Sequence, residues 1–311
     1  MDSDVNHSHA VTLKSVVVVT LVSFSYLLFS AFLVGFKSDQ VVLLLIFNCA
    51  YYLSVTTRKF ITGFAIFIIY WIIYDYMKAF PNYDYSTVHI EDLYNFEKHL
   101  FGVHFQNKLV TPNEYWRLNG LTFLDILTGI FYLCWIPVPL AFAAYLFFKN
   151  RRQFLLFSLT FVLVNLLGFI VYYLYPAAPP WYIQFNGFNF HPGTHGNTAG
   201  LAKFDAYFHV NIFKSIYAKG SNVFAAMPSL HSSYPVIVLY YGLKNRLGLI
   251  NLFFALVMIG IWFSAVYLSH HYVLDVLAGI LCATIGINLF NLLSKAGWFN
   301  KFVNNYEQLI K

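Results

Sequence analysis

Two short segments of this sequence bring together side chains able to move protons and attack an electrophile. One reads Met227-Pro228-Ser229-Leu230-His231-Ser232. A proline at a first turn suits a helix start, Ser229 is placed to cap it, and the free backbone N–H groups there make a ready anion site beside His231. The other segment runs from Ser264 to Asp275 and contains Ser269-His270-His271-Tyr272. His271 and Asp275 are four apart, so on a helix they share a face. A carboxylate there fixes the imidazole tautomer and stabilises its cation. Each segment alone has a plain reading, a polar helix start and a structural ion pair. Together in one apolar chain they point to nucleophilic and acid–base chemistry by imidazole. Neighbouring His270 and His271 would project about 100° apart on a helix, which argues against a shared haem or metal.

The elements that hold these segments are membrane spans. The chain has 311 residues, 59% apolar and only 10% charged, against roughly 25% charged in ordinary soluble domains. A soluble domain of this size could not cover its surface with so little charge. The 21% aromatic content excludes disorder. The fold class predicted is an all-α polytopic membrane protein. Eight spans are expected, near 11–36, 40–56, 60–80, 121–148, 154–176, 229–243, 249–268 and 271–293. Several fall short of the roughly 20 residues of a straight crossing, and 229–243 must be sheltered by its neighbours. The first apolar run lacks a small-residue cleavage site and reads as a retained span. Cys49, Cys134 and Cys282 sit apart in apolar stretches and read as free buried thiols.

Eight crossings put both termini on one side. The short basic connections Arg58-Lys59, Lys149–Arg152 and Lys244–Arg246 fall there with Lys295, Lys301 and Lys311. The positive-inside rule makes that side cytoplasmic. The long loops 81–120 and 177–228 are then exoplasmic, as are both imidazole segments. Within the first loop, Leu93, Phe96, Leu100 and Val103 recur at helical spacing with charges between them, which predicts a short interfacial helix over 91–104. Residues 111–116, Thr-Pro-Asn-Glu-Tyr-Trp, open with a turn and could start another.

The pair Pro228–His231 and Ser264-x6-His271-x3-Asp275 resembles the second and third motifs of the type 2 phosphatidic acid phosphatase superfamily. The resemblance implies a six-helix core, here 60–293, preceded by two extra spans in 1–59 and followed by a tail, 294–311. It also implies metal-free and cofactor-free chemistry. His271 would be the nucleophile, Asp275 would orient it, and His231 would protonate the leaving oxygen. The first motif of that family carries Lys and Arg. Here the corresponding stretch is Tyr175-Pro-Ala-Ala-Pro-Pro-Trp-Tyr182, and Ala265 stands where the third motif has Arg. Losing those cations suits a phosphodiester with one charge, unless Lys203 or Lys219 folds in.

The stretches 131–139, 175–182, 224–235 and 267–275 look closest to the inositol phosphorylceramide synthase branch of lipid phosphotransferases. That likeness implies a phosphoinositol headgroup passing from phosphatidylinositol to a ceramide hydroxyl, with diacylglycerol released. The partners implied are membrane lipids, with no nucleic acid. The short chain favours a bacterial inner membrane as the setting, with a Golgi membrane as the alternative. In this scheme Ser229 and His270 would assist the backbone N–H groups around the phosphate, and Trp181 and Tyr182 would help exclude water. Asp125 and Asp75 would either bind lipid or inositol hydroxyls or be structural. Two other readings stand beside it. One is a lipid phosphate or polyprenyl pyrophosphate phosphatase using water. The other is a non-enzymatic scaffold or transporter.

Overall fold

The computed structural model describes residues 11–218, 220 and 222–311. The chain packs into two compact units, one of residues up to Phe80 with 301–311, the other of residues 81–300. The first holds α1 (Leu13–Leu33), α2 (Ser38–Leu53) and α3 (Val55–Tyr76). Polar clasps join its apolar helices, as expected where lipid supplies no hydrophobic drive for helices to associate. Asn48 Nδ2 donates to Ser23 Oγ at 3.1 Å, and Ser30 Oγ meets the Tyr76 hydroxyl at 2.9 Å. Ser54 is the sole residue between α2 and α3, and its side chain caps α3. Cys49 is exposed, Cys134 half-buried and only Cys282 buried, so the expectation of three buried thiols holds for one.

The second unit opens with α4 (Glu91–Phe101), a hairpin of β1 (Val103–Phe105) and β2 (Lys108–Val110), and α5 (Pro112–Leu118). The interfacial helix therefore stops before Val103. Gly102 ends it, and Gln106 and Asn107, both at positive φ, make a tight hairpin turn instead. Thr111 caps α5 and Glu114 reaches back to the Thr111 N–H, with Pro112 at the first position. On α4, Leu93 and Glu97 face inward and are buried, whereas Phe96 and Leu100 face outward.

The expected span 121–148 is two helices, α6 (Thr122–Leu133) and α7 (Pro137–Lys149). The break falls at Cys134–Ile136, where Pro137 has no N–H to continue the ladder back to Leu133 and instead opens a new helix at its first position. Then follow α8 (Arg151–Leu174), the loop helices α9 (Pro180–Asn186), α10 (Ala202–Phe208) and α11 (Ile212–Tyr217), and the spans α12 (Leu230–Lys244), α13 (Ile250–Tyr267) and α14 (Val273–Leu293). An amphipathic helix, α15 (Gly297–Ile310), closes the chain.

Among the described residues, six helical stretches are long and apolar enough to cross a membrane: Leu13–Leu33, Val55–Ala79, Thr122–Lys149, Arg151–Leu174, Ile250–Tyr267 and Val273–Leu293. The other two expected spans are α2 with 16 residues and α12 with 15, roughly 22–24 Å of helix. That is short of a hydrocarbon core of about 30 Å. Shelter suits α12: Ile237, Val238 and Tyr241 on it are buried among α8, α13 and α14. Tyr234 donates to Asn165 of α8 at 2.7 Å, and Trp262 of α13 donates to the Ser232 carbonyl at 3.0 Å.

Candidate active site

The start of α12 is built against the start of α14. Ser229 is the N-cap of α12, as its position after Pro228 predicts, and its side chain accepts from the Ser232 N–H. Its own N–H donates to the Asp275 carbonyl at 2.9 Å. Ser233 Oγ donates to the Gly279 carbonyl at 2.7 Å. A Cβ at Gly279 would stand 2.1 Å from the Ser229 carbonyl oxygen, so the close approach of the two segments requires glycine there.

The second segment is a turn rather than a helix. Ser269 lies in the left-handed region at φ +60° and ends α13, and the amides of both His270 and His271 donate to the Ala265 carbonyl. His271 therefore sits just before the α14 N-cap, Tyr272, and does not share a helical face with Asp275 in the strict sense. Its Nδ1 still lies 3.5 Å from Asp275 Oδ2. That is longer than a good hydrogen bond, as catalytic contacts often are before substrate binds. Asp275 Oδ2 accepts from the Tyr272 N–H at 2.8 Å, which fixes the carboxylate.

His231 and His271 meet directly. His231 Nδ1 is 3.1 Å from His271 Nε2 and 3.3 Å from the Tyr132 hydroxyl. One tautomer set compatible with these contacts suits nucleophilic attack. In it His271 carries its proton on Nδ1, toward Asp275, and its Nε2 lone pair accepts from His231 Nδ1–H. That arrangement gives a nucleophilic nitrogen backed by a carboxylate and faced by a proton carrier. Trp135 stands edge-on to His231, with ring centroids 4.4 Å apart.

The remaining sequence-based candidates have these places. His270 is buried, donates from Nε2 to the Thr198 carbonyl at 3.0 Å, and is stacked between Tyr132 and Tyr217. Trp181 and Tyr182 are buried in an apolar cluster with Ile90, Ala178 and Phe224. The Tyr182 hydroxyl donates to the Asn189 carbonyl and accepts from the His191 N–H, both at 2.8 Å. Asp125 accepts from Tyr267 at 2.8 Å and from Lys203 at 3.3 Å, so that lysine is ion-paired. Asp75 pairs with Lys78 at 2.6 Å. Lys219 lies outside the described residues.

Sequence reasoning missed the support that comes from the 81–120 loop. Buried Asn113 of α5 donates from Nδ2 to the carbonyls of Val266 at 2.7 Å and His271 at 2.8 Å, pinning the turn that carries the histidines. Buried Glu97 of α4 accepts from the N–H groups of Val273 and Leu274 at the start of α14. One signal was available: Glu97 follows Leu93 by four residues and so lies on the inward face of α4.

Comparison with known proteins places this geometry in a family. The PAP2 superfamily model matches residues 103–289, which include both histidines and Asp275. A phosphoinositol dihydroceramide synthase of Bacteroides thetaiotaomicron is 43% identical over 96% of this chain and 99% of its own length. An inositol phosphorylceramide synthase of Candida albicans is 27% identical over 83% of this chain. The catalytic subunit of inositol phosphorylceramide synthase from Saccharomyces cerevisiae is 30% identical over 68% of it. The matches cover 54% and 52% of those two fungal proteins. No solved structure matches the chain. Helical membrane architecture, a Pro-Ser-Leu-His helix start and a His-x3-Asp turn meeting at 3.1 Å, and these similarities together show that the chain belongs to the PAP2 superfamily.

Proposed function

We propose that the protein is a lipid phosphotransferase. It moves phosphoinositol from phosphatidylinositol to the primary hydroxyl of ceramide or dihydroceramide through a phosphohistidine, releasing diacylglycerol. The observation that carries this reading is the contact of His231 Nδ1 with His271 Nε2, backed by Asp275, in a chain alignable almost end to end with a phosphoinositol dihydroceramide synthase.

Phosphorus must enter between the two rings, since Nε2 faces His231. The diester's single negative charge favours the His231 imidazolium. His271 Nε2 attacks phosphorus, the bond to the diacylglycerol oxygen breaks, and that oxygen takes the proton from His231 Nδ1. The N-phosphorylated His271 ring is cationic, and Asp275 stabilises it. Diacylglycerol leaves and the ceramide hydroxyl takes its place. His231, now neutral, removes the hydroxyl proton, the oxygen attacks phosphorus, and the phosphorus–nitrogen bond breaks. His271 is regenerated and His231 is again protonated. The amides of Leu230 and His231, at the start of α12, would hold charge on the transferring group.

Charge separates this reading from a phosphatase acting on a dianion. The rings around the histidines are those of Tyr132, Trp135 and Tyr217. Lys203, a candidate replacement cation, is bound to Asp125. A crevice of about 10 Å³ lined by Trp135, Pro235 and Val257 is too small for an acyl chain as it stands.

The test is purified protein with headgroup-labelled phosphatidylinositol, with and without ceramide, and with phosphatidic acid as competitor. The expected result is a new labelled sphingolipid only when ceramide is present, with phosphatidic acid turned over far more slowly. Free inositol phosphate as the main product, or equal kcat/KM for phosphatidic acid, would replace this reading with the phosphatase.

The reaction is further proposed to occur on the exoplasmic face of an inner membrane, with both termini cytoplasmic. Support comes from the grouping of Arg58, Lys59, Arg151, Arg152, Lys244 and Arg246 in short connections. Cysteines introduced at residues 59, 151 and 245 should label only from the cytosol, and one at 197 only from outside. Labelling of 151 and 197 from the same side would contradict this topology.

A further inference from the structure

The amides that open α14 are taken by carboxylates. Glu97 is fully buried, and its two oxygens accept separately, Oε1 from the Val273 N–H at 3.0 Å and Oε2 from the Leu274 N–H at 3.1 Å. Asp275 accepts from the Tyr272 N–H. Two acidic side chains, one on α4 and one on α14, thus hold three consecutive amides immediately after His271. A helix start has free N–H groups that need partners, and its dipole favours negative charge there. The titratable and charged groups facing Glu97 are Asp275 and Tyr272 at the start of α14. Tyr94 of α4 and Glu114 of α5 face Tyr272 in turn, the Tyr94 hydroxyl donating to Glu114 at 3.0 Å with Lys98 3.4 Å from that hydroxyl.

We propose that Glu97 is a positioning residue for phosphoryl transfer: its ionised carboxylate fixes the start of α14, and with it His271 and Asp275, and its protonation slows the reaction. This rests on the phosphotransfer reading. A neutral carboxyl presents one carbonyl acceptor and one hydroxyl donor, so it cannot accept equally from both amides. Misplacing a nucleophile by a fraction of an ångström to an ångström is costly, of order 10²-fold in rate.

The group is poised to titrate in the working range. Burial pushes the Glu97 carboxyl up to about 7, opposed by the Val273 and Leu274 N–H groups and assisted by the charge on Asp275. The sign for stability follows. Between the ordinary value of 4.5 and about 7, the folded protein holds a proton that the unfolded chain has lost. This contribution to stability is fully present below 4.5 and fades as pH rises through 7. Transfer should do the opposite and rise through the same window. A residue with only a structural role would make activity follow stability.

The test uses the full-length protein in lipid vesicles. The kcat for phosphoinositol transfer to ceramide is measured from acid to alkaline pH for wild type and Glu97→Gln. Backbone hydrogen exchange is followed in the 272–276 segment, corrected for the intrinsic pH dependence of exchange. Wild-type kcat should rise with a midpoint near 7. Glu97→Gln should lose about 10²-fold in kcat, with KM little changed and the limb near 7 gone. Wild-type 272–276 should be better protected above that midpoint than below it. An unchanged midpoint or wild-type kcat in Glu97→Gln would overturn the proposal. If Glu97→Gln fails to accumulate, equal or reversed protection in wild type would overturn it. Absence of any transfer by wild type would instead sink the phosphotransfer reading, and the exchange measurement would still judge Glu97.

Discussion

His271→Ala is expected to abolish turnover. The substitution removes the imidazole whose Nδ1 lies 3.5 Å from Asp275 and whose Nε2 lies 3.1 Å from His231 Nδ1. Loss of a nucleophile from a unit that acts together costs of order 10⁶-fold in kcat. An activated leaving group does not replace a nucleophile, so a p-nitrophenyl phosphodiester should not rescue this variant. The fold should survive, because the contacts that pin the turn run through backbone groups. The His271 carbonyl accepts from Asn113, and its N–H donates to Ala265. The assay is single-turnover release of diacylglycerol by protein whose thermal unfolding matches wild type. Turnover within tenfold of wild type would remove His271 from the nucleophile's role.

The second large effect belongs to His231→Ala. Here the nucleophile stays and the proton carrier goes. General acid–base catalysis is worth of order 10²–10⁴-fold, and a diacylglycerol alkoxide leaves poorly without a proton. With a p-nitrophenyl phosphodiester, whose leaving group needs none, most of that loss should return. Comparing kcat for the two substrates in wild type and variant separates the roles. Rescue of His271→Ala rather than His231→Ala by the activated ester would mean that the two histidines exchange roles. The Tyr132 hydroxyl, 3.3 Å from His231 Nδ1, stays in place in this variant and can account for part of any residual rate.

The pair His231 and His271 was legible in the sequence as a candidate site because each histidine lies within a few residues of a local signal. Ser229 caps α12 two residues before His231, and Asp275 follows His271 by four. The helical membrane architecture was legible from composition and apolar runs, and α8, α13 and α14 fall close to their expected bounds. The break in span 121–148 was visible as Pro137 and Pro139, but apolarity alone reads across it. Val103 fits helical spacing after Leu100, yet Gly102 and the Gln106-Asn107 turn send it into a strand.

Spacing could turn Glu97 inward beside Leu93, but the partners of the 81–120 loop were not legible, for a physical reason. Asn113 is 158 residues from His271, and Glu97 is 176 from Val273. No periodicity in a loop reports a partner so distant. Tyr182 shows the converse. An aromatic beside a site suggests a cover against water, but its hydroxyl ties Asn189 to His191 inside the loop. Asp125 and Asp75 likewise have lysine partners, Lys203 and Lys78, that spacing alone did not single out.

The most direct measurement is of the covalent intermediate. Wild-type protein is mixed with phosphatidylinositol labelled at phosphorus in the absence of ceramide, quenched, and digested. Label should appear on the peptide carrying residues 267–275, stable to alkali and lost in acid, and ceramide added before the quench should discharge it. His231→Ala should accumulate the same label slowly, and His271→Ala should accumulate none. Label on the peptide carrying His231, or label persisting in His271→Ala, would contradict transfer through a phosphohistidine at His271.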